Sequence, residues 1–115
     1  GRIEKDEEPL EGAKRELLEE SGFVSDDWSL FHSIEPSHKM DWSIYVYVAR
    51  ECKFKQDQHL DAGEKIQIRW VTLEELLDLV DSGQLGWIEQ DFRVQCVRAK
   101  YDRLSMEELK RKILE

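Results

Sequence analysis

Apolar residues recur at three- and four-residue spacing near the start of the chain, at Leu10, Ala13 and Leu17, with Leu18 beside them. That repeat marks one face of a helix. Pro9 suits a first helical position and Gly22 the left-handed residue just past an end, so the spacing predicts a helix from Pro9 that stops at Gly22. Leu30 to Ile34 reads as a short strand broken by Pro36. Trp42 to Ala49 alternates, with Ile44, Val46 and Val48 on one face and Tyr45 and Tyr47 on the other, and predicts a central strand. Residues 56–65 are polar and contain Gly63, which predicts a loop, and the alternation of Ile66, Ile68 and Trp70 predicts a further strand. Thr72 and Glu75 form a capping box whose helix should run to about Asp81 and stop at Gly83. Ile88, Phe92, Cys96 and Ala99 place a helix between about Trp87 and Asp102, and Ser105 with Glu108 opens a terminal one that ends in Lys110, Arg111 and Lys112. The order of helix, strands and three helices is an α+β pattern in a single domain over residues 1–115.

Composition narrows the functional classes. The 115 residues carry 26 acidic groups against 17 basic ones, a formal charge of −9. An acidic balance argues against binding a nucleic-acid backbone, which is neutralised by Lys and Arg. Any phosphate partner must arrive with cations. No apolar run reaches the length of a membrane span and no leader pattern opens the chain, so a cytoplasmic protein with no membrane or nucleic-acid partner is expected. Cys52 and Cys96 stand 44 positions apart, without metal-ligand spacing, and are expected as buried or half-buried thiols.

The acid is concentrated at one end. Residues 1–27 hold ten acidic and four basic groups, so −6 of the −9 lies in the first quarter of the chain. Within it, Glu16, Glu19 and Glu20 occupy positions i, i+3 and i+4 of the predicted helix and project from one side. Like charges at that spacing oppose helix formation, and a hard divalent cation with oxygen ligands would relieve them. Taken alone, the cluster also fits a solvated acidic face, since Glu is a good helix former.

The wider spacing favours the metal reading. Gly1, Glu7 and then Arg15-Glu16-Leu17-Leu18-Glu19-Glu20-Ser21-Gly22-Phe23 resembles the Nudix box, Gly-x5-Glu-x7-Arg-Glu-U-x-Glu-Glu-x-Gly-U, where U is a bulky apolar residue. Nine restricted positions over 23 residues match. The resemblance implies a Nudix-like α/β/α sandwich with a mixed sheet, and Mg²⁺- or Mn²⁺-dependent hydrolysis of a nucleoside diphosphate linked to another moiety. It further implies that Glu16, Glu19 and Glu20 bind metal, with one of them orienting or deprotonating the attacking water. Arg15 would tether the carboxylates, Glu7 would hold the loop against the helix, Gly22 would end the helix, and Gly1 would offer a backbone carbonyl to the metal. In the family the box follows the first strands of the fold. The expectation is therefore a chain cut before its glycine, with a sheet edge that a second copy could cover as a homodimer.

Substrate choice lies outside the box. Pro36, 13 residues after Phe23, loosely resembles the proline of ADP-ribose-hydrolysing members, which place it slightly later. It also suits the end of a strand. Glu64 occupies the region where many members carry a further catalytic or metal-binding carboxylate, with Asp61 a lesser rival. Trp28, Trp42 and Tyr45 are candidate stacking platforms for a base, and equally candidates for the core. His38 and Lys39 are candidate phosphate contacts. The expected substrate is a small nucleotide, ADP-ribose or a sugar nucleotide first. The alternatives are a nucleoside-triphosphate pyrophosphohydrolase and a non-catalytic nucleotide-binding module.

Overall fold

The computed structural model describes residues 3–35 and 43–115. Gly1, Pro36, His38, Lys39 and Trp42, singled out above, lie outside the described residues. The chain divides into two compact units, Gly1–Ile68 and Arg69–Glu115.

The first unit begins with α1 (Pro9–Ser21), which has Pro9 at its first turn. Gly22 ends it in the left-handed region at φ 81°, donating its N–H to the Leu18 carbonyl at 2.8 Å. Only glycine fits here: a Cβ would lie 1.9 Å from the Gln56 carbonyl oxygen. Close approach follows because β1 (Phe23–Val24) pairs antiparallel with β4 (Lys53–Phe54), setting Phe23 opposite Phe54 with their rings edge to face at 5.7 Å. These two-residue strands are too short for periodicity to reveal.

Between them, β2 (Asp27–Ile34) and β3 (Ile44–Arg50) form an antiparallel ladder from Asp27 opposite Arg50 to Ile34 opposite Ile44, with an irregularity between Leu30 and His32. The Arg50 guanidinium closes its end on Asp27 at 3.3 Å and on the Ser29 hydroxyl at 2.9 Å. On one face Tyr47 stacks on Tyr45 at 6.4 Å and meets Trp28 edge to face at 6.3 Å. All ladders among the described residues are antiparallel, and β3 pairs there with β2 alone.

The strand expected at Ile66 to Trp70 does not form. Alternation makes a segment suited to a sheet, but a ladder needs a neighbour's backbone. Here the Ile66 carbonyl instead accepts a hydrogen bond from the Gln58 side chain, and Ile68 and Trp70 are exposed.

The second unit contains α2 (Leu73–Ser82), α3 (Gln90–Tyr101) and α4 (Arg103–Leu114). The capping box of α2 is formed in both directions, with the Glu75 N–H on Thr72 Oγ1 at 3.1 Å and the Thr72 N–H on the Glu75 carboxylate at 3.3 Å. Gly83 ends this helix. A buried carboxylate, Glu89, caps α3 by accepting the N–H groups of Asp91 and Phe92. The terminal helix starts before the expected Ser105, because Asp102 caps it: its carboxylate takes both the N–H and the hydroxyl of Ser105. Leu77, Val80, Cys96, Ala99 and Leu109 are the buried apolar residues of this bundle. Lys100 ties α3 to α2 through Asp81 at 2.9 Å and Asp78 at 3.2 Å, and the Tyr101 hydroxyl adds a bond to Asp81.

The class is therefore α+β, as the element order predicts. Cys96 is buried and Cys52 half-buried, both free, and burial pushes the Cys96 thiol up to about 11. Among the described residues no helix is long and apolar enough to cross a membrane.

Candidate functional site

Helical spacing alone brings Glu16, Glu19 and Glu20 to one side of α1, but charge partners set their environments. Arg15 faces the group from within the same helix. Its guanidinium forks onto Glu7, with Nε on Oε2 at 3.0 Å and Nη2 on Oε1 at 3.2 Å. Nη1 reaches both Glu16 and Glu19 at 3.1 Å. Glu4 stands 3.8 Å from Nη1, and its N–H donates to the Glu7 carboxylate at 2.8 Å. The segment before α1 is thus folded back onto the helix. Arg15 is the first cause holding the Glu7 carboxyl below the usual carboxylate range, and the Glu4 N–H is the second.

Gly12 makes room for this. It is the one buried residue of α1, and a Cβ there would meet the Glu7 carboxylate oxygen at 3.0 Å. Neither Gly12 nor Glu4 stood out in the sequence. A small residue one turn before the Arg-Glu pair was the available signal for the first, and nothing local marked the second.

Glu20 has a different environment. Burial first, then hydrogen bonding and repulsion from Glu16 and the more distant charge of Glu64, push its carboxyl above the ordinary range. Arg15 bonds Glu7, Glu16 and Glu19, whereas burial and then Glu16 disfavour the ionised form of Glu20.

Glu64 belongs to the loop after β4. Its side chain accepts the Asp61 N–H at 2.6 Å while its own N–H donates to the Asp61 carbonyl at 3.0 Å, and Gly63 between them is left-handed at φ 87°. The rival carboxylate Asp61 therefore shapes the Glu64 turn through its backbone. This loop is stitched to the end of α1. Lys55 and Gln56 donate their N–H groups to the Gly22 carbonyl, the His59 N–H donates to the Glu19 backbone carbonyl at 2.7 Å, and the Gln58 side-chain amide donates to the Glu20 backbone carbonyl at 2.5 Å.

Of the candidate stacking residues, Trp28 and Tyr45 are joined through Tyr47, which was not singled out as a substrate contact. Trp28 also anchors its indole N–H on the Ser25 carbonyl at 2.8 Å. The Tyr47 hydroxyl is pushed above its ordinary range by burial, then by Tyr45 and Glu8. A separate open depression of about 250 Å³ is lined by Val24, Ser25, Asp26, Asp27, Glu51 and Lys53 and contains none of the box carboxylates.

Comparison with known proteins identifies the family. The model of the NUDIX domain family matches residues 1–90, and the chain belongs to that family. It is also similar to the ADP-ribose pyrophosphatase of Bacillus subtilis (strain 168), with 30% identity over 102 residues, covering 87% of this chain and 55% of that protein. The chain thus spans about half the length of this curated relative.

Proposed function

We propose that the protein hydrolyses a pyrophosphate bond in a nucleoside diphosphate linked to another moiety, with ADP-ribose or a related sugar nucleotide as first substrate and Mg²⁺ or Mn²⁺ as cofactor. The observation that carries this is the unequal treatment of the helix carboxylates: Arg15 compensates Glu16 and Glu19, while Glu20 stands against Glu16 within the field of Glu64. The donor set consists of hard oxygen ligands with too few local cations, which fits Mg²⁺. Family membership supports hydrolysis, and the named relative supports ADP-ribose.

On this reading Glu16, Glu19 and Glu20 hold the divalent cation, and Gly1 belongs to the same set by its place in the box. Bound cations would offset pyrophosphate charge, polarise the phosphoryl group and make water a better nucleophile. The chain's own groups do the rest. Glu20 or Glu64 accepts the proton of the water that attacks phosphorus as the P–O bond to the leaving phosphate breaks. Arg15 fixes the orientation of Glu16 and Glu19 so that little reorganisation is needed at reaction. Trp28 and Tyr45 offer flat apolar faces for the base, and His38, Lys39 and Trp42 are assigned to substrate contact by their place in the sequence.

Incubation of the purified protein with Mg²⁺ and ADP-ribose tests the proposal. AMP and ribose 5-phosphate are the expected products. Release of pyrophosphate from nucleoside triphosphates in place of this reaction would move the assignment to the triphosphate class. Calorimetric binding without turnover of any substrate in a panel of ADP-ribose, sugar nucleotides and triphosphates would establish a binding module.

A further inference from the structure

The carboxylates of the proposed site come from two segments far apart in the chain, α1 and the loop that carries Glu64, and something must set their separation. A side-chain amide has two N–H donors. In Gln58 one is directed at the Glu20 carbonyl at 2.5 Å and the other at the Ile66 carbonyl at 3.1 Å. The first acceptor is among the last carbonyls of α1, which have no partner within the helix. The second lies two residues beyond Glu64.

One amide therefore joins the end of the helix to the far end of residues 59–65, while the His59 N–H on Glu19 secures the near end. Inside this closed loop, the Asp61 N–H and the left-handed Gly63 hold the Glu64 carboxylate.

We propose that Gln58 is a positioning residue that sets Glu64 relative to the carboxylates of α1. The inference rests on the reading of this cluster as a hydrolytic site. The chemistry of the clamp is specific. Asn is one methylene too short, Glu brings no donor, and Met matches the length without either donor. Lys restores donors with similar reach, and its charge is favourable at a helix C-terminus.

The test compares Gln58→Met and Gln58→Lys in the full chain, alone and combined with Glu64→Gln, using ADP-ribose and Mg²⁺. Displacement of a reacting group by about 1 Å costs on the order of a hundredfold, so Gln58→Met should lower kcat by about tenfold to a hundredfold. KM should stay within about twofold, and Gln58→Lys should recover most of the rate. In the Glu64→Gln background the same Met substitution should cost less than about twofold, because its effect acts through Glu64. Additive losses, an unchanged kcat in Gln58→Met, or a Glu64→Gln variant as fast as the parent would each overturn the proposal.

Amide hydrogen exchange separates failure of the clamp from failure of the hydrolytic reading. Exchange across residues 59–66 should be at least about tenfold faster in Gln58→Met, since the loop end is released. Unchanged protection would overturn the clamp. Faster exchange in a protein that hydrolyses none of the panel would uphold the clamp and remove only the reaction assigned to it.

Discussion

Arg15 and Glu7 face each other through two near-parallel hydrogen bonds of 3.0 and 3.2 Å, across eight positions of sequence and the start of α1. The pair joins the segment before the helix to the face that carries Glu16 and Glu19. A planar fork can hold one carboxylate with two nitrogens while its remaining N–H groups reach two others, which an ammonium group cannot match.

Arg15→Lys should therefore behave as a disruptive change. Loss of the fork frees Glu7 and loosens Glu16 and Glu19, and removal of such an orienting partner costs about tenfold to a hundredfold in metal affinity or activity. Mg²⁺ titrations of the ADP-ribose rate would show a raised metal requirement. Unchanged titrations would mean that Arg15 orients nothing of consequence.

The Glu7 carboxyl sits below its ordinary value of 4.5 because Arg15, then the Glu4 N–H, favour its charged form. An acid whose value is depressed on folding contributes stability that is present above the unfolded value and disappears as pH falls through the folded one. Urea midpoints measured from about pH 6 down to about pH 3 should decline across this interval, and less steeply in Glu7→Gln. Asp81, held down by Lys100 and then Tyr101, works in the same direction, so Asp81→Asn should flatten the profile too.

Glu20 has the opposite sign. Folding raises its proton affinity, so at neutral pH the ionised group opposes the cation-free folded state, and that opposition fades as pH falls through the raised value. Glu20→Gln should leave the Tm of the cation-free protein unchanged or higher, yet lower kcat by about 10²- to 10⁴-fold. Added Mg²⁺ should raise the Tm of the parent more than that of the variant. A variant that melts lower without metal would show that Glu20 is a structural group.

Gly22 offers a test of the fold apart from chemistry. A methyl group there meets the Gln56 carbonyl at 1.9 Å and must also adopt φ 81°, so both the β1–β4 pairing and the helix end are strained. Gly22→Ala should destabilise by about 1–3 kcal/mol or more, read as a lower urea midpoint. Gly83 is also left-handed but has no neighbour within 4 Å of a built Cβ, so Gly83→Ala should cost only the backbone part, about 1 kcal/mol.

Features legible in the sequence depend on near neighbours along the chain. Pro9, Gly22, the Thr72 box and the spacing of Glu16, Glu19 and Glu20 each act within one or two helical turns, where the geometry of the helix leaves little choice. For that reason the bounds of α1 and α2, the α+β class and the carboxylate face could all be read from residue order. The start of α4 was misplaced by a competition between two local caps, Asp102 and Ser105, that the capping pattern does not rank.

Tertiary structure decided whatever depends on a distant partner. Periodicity marks Ile66, Ile68 and Trp70 as suited to a sheet, but a strand exists only where another backbone lies alongside. Charge pattern shows three crowded carboxylates, but Arg15 favours two of them and leaves Glu20 against Glu16 and Glu64. Gln58 is an unremarkable loop residue until folding brings the ends of residues 59–65 to its two N–H groups. Local spacing follows from covalent geometry, whereas proton affinity and loop closure arise from groups that meet only when the chain folds.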